Sequence, residues 1–211
     1  MARPAIFSFP AQDSAGICAT QTVSGSLTIN GTTAVQTDPF WYYATLSGFQ
    51  RCVTLSSANN LSAVNVTVQG RTWSGLAVSE TISGPNNSTV STTSQFMTVS
   101  AVSTDATATA MSVGWGNVGQ SRPFRPNPYN TPGTVGVGVS VVGTIAYTVR
   151  TTYDDVNTVA LPTWSGVTGM SGATTSFQTN LGTLPEAVQI VVNSSSGATS
   201  ALNLVVIPTG V

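Results

Sequence analysis

Histidine and lysine are both missing from the 211 residues of this chain, and only 6% of the residues are charged. Without histidine there is no imidazole base, no Ser-His-Asp triad and no histidine metal ligand. Without lysine there is no Schiff-base nucleophile and no lysine for a phosphate-binding loop. These absences remove most reaction mechanisms, so the chain is predicted not to be an enzyme and to use no cofactor or metal.

Charge of either sign is scarce. The six basic residues are all arginine and the formal net charge is −1, so the basic patch expected of a nucleic-acid-binding protein is missing. No apolar run approaches the roughly 18 residues of a membrane helix, which predicts no membrane partner. The N-terminus lacks the apolar stretch of a signal peptide, so we expect the chain to be made and retained in the cytoplasm.

Cysteine is also rare, with Cys18 and Cys52 as its only occurrences. Two cysteines so far apart in the chain do not make a zinc site. Proteins of the cytosol keep their thiols reduced, so free, buried thiols are favoured over a disulfide between the two.

What the chain does contain is β-forming. Serine and threonine together number 59 and valine 27, and β-branched residues favour the pleated surface of a sheet. Short apolar and polar alternations recur between turn residues, and Val64–Gly70 is the clearest of them. The predicted fold is all-β, built from antiparallel β-sandwich or barrel modules joined by a Pro-rich linker.

The domain prediction follows the breaks in this rhythm. It places an N-terminal arm at 1–24, a β-sandwich module at 25–120, a Pro-rich linker or arm at 121–133 and a second β module at 134–211, which either packs with the first or stands apart. Three tight connections are predicted from turn residues: a hairpin at Asn30-Gly31, a turn at Gly143-Thr144 and a hairpin loop at Ser194–Ala198.

Two segments resemble chemical sites superficially. Val135–Val139 alternates valine with glycine, but it lacks the helix that a nucleotide loop must open, so a flat strand is favoured. Asp154, Asp155 and Asn157 carry oxygens that could bind calcium, but a solvated turn is favoured because Ca²⁺ needs 6–8 oxygens. Nothing in the sequence brings Asp154 together with Glu80 or Glu186 as a catalytic carboxylate pair.

Aromatic and arginine side chains are the strongest candidates for contact with a partner, because both are enriched at protein interfaces. They are taken from the arm, an aromatic cluster and the Pro-rich segment: Phe7, Phe9, Phe40, Trp41, Tyr42, Tyr43, Arg122, Phe124, Arg125 and Tyr129. Platforms for carbohydrate, at Trp41–Tyr43 or at Trp73, Trp115 and Trp164, are the alternative, although core or interface packing is favoured.

Three runs of sequence resemble a known family. They are 53–70, 79–102 with its Gly84-Pro85-Asn86 turn, and 143–155 with its Tyr153-Asp154-Asp155 end. Together they are similar to segments of small structural proteins of tailed bacteriophages. The chain departs from that pattern after Gly70, where Arg71–Gly75 stands in place of the family's Asp-Gly turn.

The resemblance implies a virion component assembled in the host cytoplasm. The leading hypothesis is a capsid decoration (cement) protein that binds the major capsid protein and copies of itself as a homo-oligomer. A tail or neck structural protein is the alternative within the particle, and a carbohydrate-binding adhesive β-domain is the alternative from another class.

Overall fold

The structure is a computed structural model that describes residues 5–9, 11–38, 41–45, 48–126, 134–159 and 162–209. Within these ranges there is no helix, and every strand pairing is antiparallel. The prediction of an all-β, antiparallel fold is therefore confirmed.

Thirteen strands fall in the described ranges. They are β1 (Ala5–Phe9), β2 (Asp13–Ser26), β3 (Ala34–Asp38), β4 (Trp41–Thr45), β5 (Phe49–Asn60), β6 (Asn65–Arg71), β7 (Ala77–Ser83), β8 (Asn86–Phe96), β9 (Thr98–Ser121), β10 (Thr134–Thr152), β11 (Ser165–Gly166), β12 (Phe177–Leu181) and β13 (Ala187–Thr209).

The chain divides into two compact units. The first unit is Gln12–Gly119, and the second unit combines Met1–Ala11 with Gln120–Val211. The predicted first module, 25–120, ends within one residue of this division. The predicted arm, 1–24, is divided between the units: its described residues form β1 in the second unit and most of β2 in the first.

In the first unit, β9 is the strand to which most others attach, since β2, β4, β5 and β6 all pair with it. The alternation predicted for 64–70 is confirmed in β6, where Val66 and Val68 are fully buried. Their side chains join a core that includes Ile17, Leu55 and Phe96. Burying one such side chain contributes about 1.5–3 kcal/mol, so this core supplies much of the unit's stability.

The predicted hairpin at Asn30-Gly31 is wrong. A two-residue type I′ turn needs a positive φ at both positions, and neither residue has one. Instead the segment runs back along β2, where Gly31 N–H donates to the carbonyl of Ile17 at 2.9 Å. A Cβ on Gly31 would lie 2.2 Å from the carbonyl oxygen of Ala15, so glycine is required here by close backbone approach.

In the second unit, β10 and β13 form one long ladder, with β1 on the far side of β13 and β12 on the far side of β10. The turn predicted at Gly143-Thr144 and the hairpin predicted at Ser194–Ala198 are both wrong. Val142 pairs with Ala201 and Thr144 pairs with Ser196, so each strand continues through an irregularity. The turn residues are absorbed as a bulge, and Gly143 takes its φ of 76°.

The two thiols lie in the first unit. Both Cys18 and Cys52 are free and buried, as predicted. Burial raises the pKa of Cys18 to about 12 and also raises the pKa of Cys52, because a thiolate is poorly solvated inside a protein. Both therefore stay protonated, unreactive thiols at neutral pH.

The Glu80 side chain accepts hydrogen bonds from backbone N–H groups of β8 at a point where the pairing of β8 with β5 is irregular. In β8 the pairing with β5 skips the residues between Ser91 and Gln95, which leaves amides outside the ladder. The Glu80 carboxylate, on β7, accepts the N–H of Thr93 at 2.8 Å and that of Ser94 at 2.6 Å. Partial desolvation pushes the pKa of Glu80 upward, but these hydrogen bonds outweigh it and hold the pKa below its ordinary value.

Replacing Glu80 by glutamine is expected to lower the free energy of unfolding by about 1 kcal/mol at pH 7. The loss is smaller than for a buried carboxylate, because solvent weakens the hydrogen bonds of a mostly solvated group. Since the pKa is lowered on folding, the stabilisation is complete above the ordinary pKa of 4.5 and is lost as the pH falls through the folded value. Urea unfolding from pH 7 to pH 3 measures it.

The difference in the free energy of unfolding between wild type and Glu80→Gln should therefore become smaller as the pH is lowered from 7 to 3. Ser79→Ala, at an exposed position on the same strand, is the control and should stay within about 0.5 kcal/mol of wild type. A difference that is unchanged from pH 7 to pH 3 would show that the ionised carboxylate is not what stabilises β8.

Candidate interaction surfaces

Two of the predicted contact residues, Phe7 and Phe9, lie in the interior of the second unit. Their exposed fractions are 5% and 0%, because β1 places both on the face of the sheet that carries Leu204 and Leu202. The ring of Phe7 meets that of Phe124 edge to face, with centroids 6.4 Å apart. In this conformation Phe7 and Phe9 are core residues, and their neighbour on β1, Ile6, is exposed.

The described part of the Pro-rich segment is attached to β13. The N–H of Phe124 donates to the carbonyl of Val188 and the N–H of Val188 donates to that of Phe124, both at 2.8 Å. Arg125 forms an ion pair with Glu186, and Arg122 is exposed. Of the predicted contacts in this segment, Arg122 and Arg125 are therefore both exposed, with Arg125 held in an ion pair, while Tyr129 lies outside the described residues.

The aromatic cluster falls on and beside β4. Trp41, Tyr42 and Tyr43 lie in this strand, whose backbone pairs with β3 on one side and with β9 on the other. Their side chains, and all of Phe40, are outside the described part of the chain.

Of the other tryptophans considered as carbohydrate platforms, Trp115 is 1% exposed and its Nε1–H donates to the Thr33 hydroxyl at 2.8 Å. Trp115 is therefore a core residue with a satisfied polar group. Trp73 and Trp164 are half-buried.

The acidic pair at the end of β10 organises a turn. Asp155 Oδ1 accepts the N–H of Asn157 at 3.0 Å, and Asp154 Oδ2 accepts the N–H of Thr163 at 2.5 Å. The Asn157 amide, chiefly, holds the pKa of Asp155 below its ordinary value. This agrees with the favoured interpretation of a turn. Among the described residues no three acidic, cysteine or histidine side chains cluster as a metal site would require.

Arg150, in the second unit, belongs to a network of polar and aromatic contacts that the sequence did not predict. Its Nε donates to the side-chain oxygen of Gln189 at 2.9 Å, and its Nη2 donates to the side-chain oxygen of Gln120, also at 2.9 Å. It also stacks on Trp164, 4.8 Å from the ring centroid. Burial lowers the pKa of Arg150, and the aromatic face and amide oxygens compensate for lost hydration. Residues so distant in sequence give no local signal of such a network.

The glycine-alternating run predicted as a flat strand is confirmed in β10. Val135, Val137 and Val139 are buried on one face of the strand. Gly136 and Gly138 form the floor of an open groove of about 500 Å³ on the other face. The groove is bordered by side chains of β12 and β13, and none of its lining residues is charged: they include Gln178, Asn180, Val205 and Ile207.

Cross-strand pairing extends this uncharged face across four strands. Ile6 pairs with Val205, Val205 with Gly138 and Gly138 with Gln178, so all four lie on the same face. Ile6 is 64% exposed. A surface of this kind suits neutral, shape-complementary contact better than ionic recognition.

No protein-family model matches the chain. No curated protein matches it either. Over the residues that the structure describes, there is no helix of the length and apolar character needed to cross a membrane.

Proposed function

We propose that this chain is a structural component of a tailed-phage particle, and specifically a capsid decoration protein that binds and stabilises the assembled coat-protein shell. The proposal rests on the resemblance of residues 53–70, 79–102 and 143–155 to small tailed-phage structural proteins. Its main structural support is that the motifs in these three runs form turns and strand ends of a β fold.

The Gly-Pro-Asn turn illustrates this. A Cβ on Gly84 would lie 2.6 Å from the carbonyl oxygen of Leu61, and the Leu61 N–H donates to the Pro85 carbonyl at 2.7 Å. Asn87, the second residue of β8, takes a φ of 46°. The turn between β7 and β8 is thus joined to the turn between β5 and β6, and a motif of this kind preserves a fold and carries no reactive group.

The Tyr153-Asp154-Asp155 segment is similar in kind. Tyr153 follows β10, is 68% exposed and shares a hydrogen bond with the Thr183 hydroxyl at 2.5 Å. The two carboxylates accept backbone N–H groups of the following loop. These interactions order the strand end, as expected of a building block.

The surface chemistry supports association with protein. Only 6% of residues are charged, and the face around Gly136 and Gly138 carries no charge. Uncharged surfaces are poor at keeping a protein monomeric, which is a disadvantage in isolation and an advantage in an assembly. Many weak, identical contacts on a symmetric shell add up to strong attachment by avidity.

We also propose that the two units are β-sandwich or barrel modules and that the Pro-rich segment 121–133 is a linker or arm. Arg122 and the aromatic cluster at 40–43 are the candidates for contact with coat protein.

Immunoelectron microscopy of native particles from the phage that encodes this chain tests the proposal. An antibody raised against the purified chain should label the capsid shell, with a pre-immune antibody as the control. Label confined to the tail or neck would replace the decoration assignment with the alternative within the particle. Particles without any label would overturn a virion function.

A further inference from the structure

The edge strand β12 has an open side. It pairs with β10 along one side only, from Val135 opposite Leu181 to Val139 opposite Phe177. In a strand every second residue directs its N–H and C=O away from that neighbour. Among the residues that the structure describes, none pairs with this outer side of β12. The edge therefore offers a row of backbone donors and acceptors to an extended chain.

Proteins usually protect such edges with charge, proline or a bulge. The edge strand β7 carries Glu80, and β1 is flanked in sequence by Pro4 and Pro10. By contrast, no charged residue and no proline occurs from 171 to 184, and β12 pairs with β10 without a register shift. An edge without these features is available for pairing with another strand.

The side chains of β12 indicate which strand fits. If a second β12 is laid antiparallel about a twofold axis through Thr179, Phe177 stands opposite Leu181 of the other copy and Gln178 stands opposite Asn180. Phe177 and Leu181 lie on one face, so apolar meets apolar, while Gln178 and Asn180 lie on the other, so amide meets amide. The sequence is complementary to itself in this register.

Exposure agrees with this arrangement. Phe177 is 39% exposed, and its ring packs over Gly169, where a Cβ would come within 2.8 Å of the ring. The Leu181 side chain of a second copy would cover the remaining exposed edge of that ring. Gln178 and Asn180 are exposed, and amide groups opposite each other can exchange hydrogen bonds across the new pair.

We propose that the outer edge of β12 is a self-association surface, at which a second copy of this chain pairs its own β12 antiparallel about a twofold axis at Thr179. The pairing joins two copies of the β13-β10-β12 sheet into one continuous sheet. A five-residue edge is small beside the roughly 1,200–2,000 Å² of a stable interface. Association in solution is therefore weak and depends on concentration, and it strengthens where many copies are held side by side.

Charge placed at 178 and 180 tests the register in the full chain. In Gln178→Lys/Asn180→Lys, both cross-strand pairs become like-charged, and association at low salt should weaken at least about fivefold. In the matched variant Gln178→Glu/Asn180→Lys, both pairs become oppositely charged, and association should equal or exceed that of wild type. The two variants change the same two exposed positions. Thermal unfolding midpoints equal to that of wild type would show that both variants keep the fold.

Sedimentation velocity over a range of concentrations is the readout, and a mixing experiment completes it. Gln178→Glu/Asn180→Glu alone should show the same weakening, but it should pair with the double-lysine variant when the two are mixed at low salt. Wild-type chain that sediments as a monomer at every concentration, or a double-lysine variant that associates as tightly as wild type, would overturn the proposal.

This inference and the proposed function fail separately. A monomeric wild-type chain whose antibody labels the capsid shell would remove the β12 interface and leave the decoration function intact. A chain that associates through β12 but labels no particle would do the reverse.

Discussion

Replacing Gly70 by alanine is expected to destabilise the first unit by about 3 kcal/mol, because the new methyl group has no space. Gly70 lies in β6 at the point where its register with β9 shifts. A Cβ there would lie 1.9 Å from the carbonyl oxygen of Thr98 and 3.0 Å from the Phe96 ring. The first contact is with backbone, so β6 and β9 must separate locally and lose ladder hydrogen bonds.

Urea unfolding followed by tryptophan fluorescence measures this change, because three of the four tryptophans, Trp41, Trp73 and Trp115, lie in the first unit. Gly182→Ala is the matched control. A Cβ on Gly182 would meet no atom within 4 Å, so this variant should keep or slightly raise the midpoint. Equal midpoints for Gly70→Ala and wild type would contradict the close approach of the two strands.

Arg51→Ala is the second substitution expected to be severe, at about 3 kcal/mol. Arg51 lies in β5, is 0% exposed, and donates from Nε to the carbonyl oxygen of Gly116 at 2.7 Å and from Nη2 to the same oxygen. Burial lowers its pKa to about 10, but the side chain remains charged at neutral pH. Truncation leaves a cavity and a buried carbonyl that has lost its donor.

A second variant separates packing from hydrogen bonding at this position. Arg51→Met keeps most of the side-chain volume and loses the donors, so it should cost less than Arg51→Ala but still about 1–3 kcal/mol. Arg71→Ala is the control, since Arg71 is exposed and donates to Gly75 at 2.8 Å in its own turn. We expect this control within about 0.5 kcal/mol of wild type in the same urea experiment. An Arg51→Ala variant as stable as Arg71→Ala would contradict a structural role for the buried guanidinium.

Local patterns of sequence predicted the strands well and their connections poorly. The alternation in β6 and the valine–glycine run in β10 each require that one face be buried, and both are confirmed. Asn30-Gly31 and Gly143-Thr144 have the composition of tight turns but do not form them, since that composition suits a close approach or a bulge equally well. Whether a glycine turns the chain depends on whether the partner strand continues past it.

The contact candidates illustrate the same division. Aromatic and arginine side chains are enriched at interfaces, but cores and buried networks use the same side chains. The candidates Phe7 and Phe9 are buried, whereas Ile6 and Ile207, which were not candidates, are exposed on the uncharged face. A strand pattern shows that alternate residues share a face, but not which face meets the core.

By itself, the sequence determined two properties of this protein. The supply of valine, threonine and turn residues specifies an all-β chain, and the absence of histidine and lysine removes the reaction mechanisms that depend on them. Only the tertiary structure decided the register of β10 with β13, the burial of Arg51 and the open edge of β12. The physical reason is that composition and alternation are local properties, while pairing and burial depend on strands that are far apart in the chain.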